Sequence, residues 1–94
     1  MTQNTEKTTR GERQAKMFMR AMLRELSANE RKGGWLGRKR RQHFADLDYH
    51  VAKLKAAVRT NDRLRLLEYS ADVANHALFI ADDWGVLNLE ALEE

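Results

Sequence analysis

The chain is 94 residues long, contains no cysteine and no proline, and carries a formal net charge of +3. A domain of this size buries roughly two thirds of the surface its unfolded chain exposes, so its core is thin. The lack of thiols excludes disulfides and thiolate metal sites, and no apolar run approaches the roughly 20 residues that span a bilayer. The chain is therefore read as a soluble, cytoplasmic protein with no membrane partner.

The charge is unevenly placed. Residues 1–45 hold twelve Lys or Arg against four Glu, a balance of +8, whereas residues 46–94 hold five basic against ten acidic side chains, a balance of −5. Such asymmetry suits an anionic partner for the first half, or two copies that associate through opposite charges. Two solvated helix faces of different sign would look the same.

Residues 1–10 are polar, lack the apolar stretch of a signal peptide and are expected to be disordered, leaving 11–94 as a single helical domain. From about Glu12 to Lys32, Ala15, Phe18, Met19, Met22 and Leu26 fall on one helical stripe, which Gly33 ends. A loop from Gly33 to Arg41, GGWLGRKRR, follows. Phe44, Leu47, Val51, Leu54 and Val58 then recur at alternating steps of three and four, a narrow seam on a second helix. Thr60, Asn61 and Asp62 supply turn and capping chemistry, so that helix ends near Arg59 and a third begins about Asp62. Leu67, Ala71, Ala74, Leu78 and Ala81 form one line of the third helix, and Val73, Ala77, Ile80 and Trp84 the next. Gly85 fits the position just past its end, and Asn88 is placed to cap a short last turn through Leu89, Ala91 and Leu92. The fold class is all-α, with an antiparallel hairpin of the second and third helices plus the N-terminal helix. Its apolar faces exceed what one copy covers, which predicts a homo-oligomer unless the last turn folds back over them.

Two groups of side chains offer chemistry. Glu68 and Asp72, four apart, project from one side of the third helix, and Asp46 and His50 on the facing helix complete a candidate divalent-cation site. Lys53 shares the face of Asp46 and His50 and would repel a cation. His43, His50 and His76 lack zinc spacing, and no serine or threonine sits in a nucleophile elbow. The run Arg38, Lys39, Arg40 and Arg41, with Lys32 before the loop and Trp35 available to stack on a base, is the candidate contact for an anionic partner, nucleic acid among them. No groove-reading motif accompanies it.

The strings SADVANHALFIAD, Ser70 to Asp82, and NERKGGW, Asn29 to Trp35, resemble the MazG-like all-alpha nucleoside triphosphate pyrophosphohydrolases, especially the small versions encoded by bacteriophages. The resemblance covers about Asn29 to Gly85. It implies a helical bundle completed by oligomerisation, with magnesium held between an E-x-x-E on one helix and an E-x-x-D on the next and used to activate water against a triphosphate. On that pattern Asp72 takes the final Asp, and Ala74 and Asn75 continue the D-V-A-N string. Tyr49 or His50 stands at the first Glu, Lys53 at the second and Tyr69 at the third, with Glu68 one residue out of place, about 100° around the helix. The expectation is a non-catalytic MazG-like binding protein, a phage accessory or inhibitory factor acting on a host protein or nucleotide. A pyrophosphohydrolase with a remodelled magnesium site of Asp46, His50, Glu68 and Asp72 is the alternative, and a small basic nucleic-acid-binding module the third.

Overall fold

The computed structural model describes residues 8–88, and over that range the chain is all-α. Three helices, α1 (Arg10–Arg31), α2 (Arg40–Thr60) and α3 (Arg63–Asp83), are followed by a single 3-10 turn, Val86–Asn88. Most of residues 1–10, and the last turn expected through Leu89, Ala91 and Leu92, lie outside the described residues.

Helix α1 begins earlier than the apolar pattern predicts. Thr9 caps it: the Glu12 amide donates to Thr9 Oγ1 at 3.1 Å and the Thr9 amide donates to Glu12 Oε1 at 3.0 Å, a reciprocal capping box. At its far end the Gly34 amide reaches Asn29 O at 2.9 Å and the Gly33 amide reaches Glu30 O at 3.0 Å. This is the Schellman arrangement, and it places Gly33 at φ 113°, where a side chain would be strained. Asn61, at φ 54°, makes the left-handed turn between α2 and α3, and Asp62 Oδ1 accepts from the Arg65 amide at 3.2 Å to start α3 as expected.

The second helix starts inside the basic run, so Arg40 and Arg41 belong to its first turn rather than to the loop. A cation there faces the positive end of the helix dipole. Arg40 offsets this by pairing with Asp83 at 3.1 Å and lying over the Trp84 ring at 4.2 Å.

Helices α2 and α3 form the antiparallel hairpin. α1 also packs on α3 but not on α2, so α3 is the middle of an open, three-helix layer. The buried apolar residues are Ala21, Ala57, Ala71 and Phe79, to which His43 and Asn75 add buried polar groups. Small residues at the crossings let the helices approach closely but bury little area. Of the residues expected on apolar stripes, Ala15, Met19, Phe44, Val58, Leu67, Ala77 and Trp84 are exposed.

Candidate functional site: an acidic cleft between the first and third helices

The cleft follows from where α1 crosses α3. Asn75, 3 % exposed, donates from Nδ2 to the Met22 carbonyl at 3.0 Å and so ties the two helices together. Its Oδ1 is buried without a partner. One turn along α1 from that tie stands Glu25, and its carboxylate meets those of Glu68 and Asp72, one ligand atom from each lying within 4.8 Å of the others. The cleft they line has a volume of about 260 Å³, and Asn29, Lys32, His50, Lys53, Asn75 and His76 complete its polar wall.

Three carboxylates this close repel one another. Burial, and then the charges of Asp72 and Glu68, raise the Glu25 pKa above its ordinary value. Burial followed by Glu68 does the same to Asp72, against the opposing pull of Lys53 and Lys32. The cluster is short of positive charge, and a cation held between the three would lower both values.

Of the four residues first placed at the metal, the structure brings Glu68 and Asp72 into one cluster. Asp46 is elsewhere: both its oxygens are taken by Arg38, at 2.6 and 2.9 Å, and that hydrogen bond holds its carboxyl below the ordinary range. His50 Nδ1 stands 3.8 Å from Asp72 Oδ2, beyond hydrogen-bond reach. Burial and then Lys53 push the His50 pKa down, so the ring faces Asp72 uncharged. His50 stacks on His76 with centroids 4.3 Å apart, and burial drives the His76 pKa down to about 4.

Lys53 lines the cleft with its Nζ held 4.5 Å from the Tyr69 ring centre and 5.2 Å from that of Tyr49. Tyr49 and Tyr69 thus form a cation box for the lysine. Glu25, which the sequence pattern does not single out, is the third carboxylate of the cluster. Its signal was local: a glutamate between Met22 and Leu26, beside the stripe predicted to be buried.

The candidate anion contacts are largely committed within the chain. Arg38 pairs with Asp46, Arg40 with Asp83 and Trp84, and Trp35 stacks on Phe79 at 4.5 Å while its Nε1–H donates to Asp82 Oδ2 at 3.2 Å. Lys39 and Arg41 remain exposed, and Lys32 lines the acidic cleft. Comparison with models of protein families, with characterised proteins and with solved structures found no match.

Proposed function

We propose that the chain is a MazG-like helical protein that binds a phosphorylated nucleotide together with a divalent cation in the cleft between α1 and α3. The observation that carries this reading is the convergence of Glu25, Glu68 and Asp72 on one point with two lysines on the rim. The donor set suits magnesium or manganese: three hard carboxylate oxygens leave coordination positions for phosphate oxygens, and Asn75, whose Oδ1 has no partner, is among the residues of the same wall. A cation there would offset the carboxylate repulsion and bridge the cluster to a phosphate chain. Lys32 and Lys53 supply charge to the remaining phosphate oxygens, a role in which an ammonium beside the acidic cluster is useful.

A second reading, hydrolysis of the nucleotide, is favoured by one observation: Glu25 adds a third carboxylate to Glu68 and Asp72, so the acidic set interrupted at Tyr49, Lys53 and Tyr69 is partly rebuilt from another helix. The uncovered apolar faces support the further expectation that the bundle is completed by a second copy.

Calorimetric titration of nucleoside triphosphates in the presence and absence of magnesium, run beside a pyrophosphate-release assay, tests both readings. Magnesium-dependent binding without turnover, weakened roughly tenfold or more in Glu25→Gln, is the expected result. Turnover that disappears in Asp72→Ala would establish the second reading in place of the first. Neither heat nor turnover would sink both.

A further inference from the structure

Outside the cleft, the most ordered charge pattern in the molecule lies on the far side of α1. At 100° per residue, Arg13, Lys16, Arg20, Arg24 and Arg31 fall within a sector of about 80°, and the only other residue in that sector is Ser27. The five cations cover about 27 Å of helix axis. All are exposed, and none is in an ion pair among the described residues. Arg13 donates to the Thr8 carbonyl at 2.7 Å and Arg31 to Ser27 Oγ at 3.3 Å, contacts that aim the guanidinium groups without neutralising them. α1 packs on α3 alone, so this side of the helix is open.

A solvated helix face ordinarily mixes signs. Here Arg13 and Lys16, Lys16 and Arg20, and Arg20 and Arg24 are like-charged neighbours three or four apart, pairs that weaken an isolated helix. An external polyanion removes that cost.

We infer that this ridge binds the phosphate backbone of double-stranded nucleic acid without reading its sequence, independently of the cleft. Charge complementarity selects a polyanion, and the remaining features select a duplex. Single strands are held by aromatic platforms, and the ridge has none, while Trp35 is occupied by Phe79. An interfacial membrane helix turns a continuous apolar face to the lipid, whereas α1 buries Ala21 and sets part of its apolar side against α3. A straight, charged helix suits the rigid, regularly spaced phosphates of a duplex.

Fluorescence anisotropy of short labelled DNA and RNA duplexes of arbitrary sequence, titrated with the full chain over a range of salt, provides the test. Five phosphate contacts predict a slope of log affinity against log salt of about −4.5 on DNA. Replacing Arg13, Arg20 and Arg24 with Gln, a good helix former, should leave the circular dichroism unchanged, weaken binding roughly tenfold or more and bring the slope to about −2. The same three positions as Lys should keep both affinity and slope, which separates charge from folding. The inference is overturned by wild-type binding with no salt dependence, by loss of binding in Lys39→Ser/Arg41→Ser instead of the ridge variant, or by binding to anionic vesicles with none to either duplex.

Discussion

His76 stacks on His50 and lies nearly perpendicular to the Phe79 ring, and burial brings its pKa from 6.5 down to about 4. The depressed value means that the unfolded chain takes up this proton before the folded one. Stability is therefore lost as pH falls from about 6.5 towards 4, and His50, shifted the same way, adds to the loss. Glu25 and Asp72 act in the opposite sense, because their raised values favour folding as they become protonated. His76→Gln isolates the histidine contribution: the melting temperature of the variant should fall less steeply than that of the parent between neutral pH and pH about 4.5. Parallel curves would mean that His76 titrates in the fold as it does in the unfolded chain.

At the level of elements, the capping box at Thr9 and Glu12 fixes where α1 begins. Thr9→Ala should cost about 1 kcal/mol in a denaturant titration, without moving the end points of the helical signal. A cost near zero would mean that the first turn is frayed and that α1 effectively begins further along. This start was readable as T-x-x-E, yet it sits in a polar stretch with no apolar stripe to draw attention to it. The hairpin was legible because Asn61, Asp62 and Gly85 are each a local punctuation mark with its own backbone reason. The beginning of α2 was not, since two arginines in a first turn run against the helix dipole, and Arg40 finds its partners in Asp83 and Trp84, more than forty residues away. The cleft shows the same division. Glu68 and Asp72 share a face by spacing alone, whereas Glu25 joins them, and Asp46 leaves them for Arg38, through tertiary contacts that no periodicity encodes.

Among the described residues, the imbalance is between a buried set of three alanines and one phenylalanine and a surface that exposes Met17, Met19, Leu23, Leu64 and Leu67 around the α1 and α3 faces. An open groove of about 530 Å³ lined by Gln14, Ala15, Met17, Phe18 and Leu67 runs along this side. Covering it with a second copy would supply the apolar burial that three helices lack. Light scattering at micromolar concentration should give a mass of at least two chains, falling in Met17→Asp/Leu67→Asp. A monomer mass for the parent at high concentration would remove the case for a shared bundle.

In the function proposed above, Glu25, Glu68 and Asp72 form one cation site across α1 and α3. A crystal of the full chain grown with manganese and a nucleoside triphosphate, measured at the manganese edge, tests it directly. The expected anomalous map has a peak bound by carboxylate oxygens of all three residues, with phosphate density towards Lys32 and Lys53. A map with no peak there, or one whose manganese is held by Asp46 or by surface carboxylates alone, would contradict it.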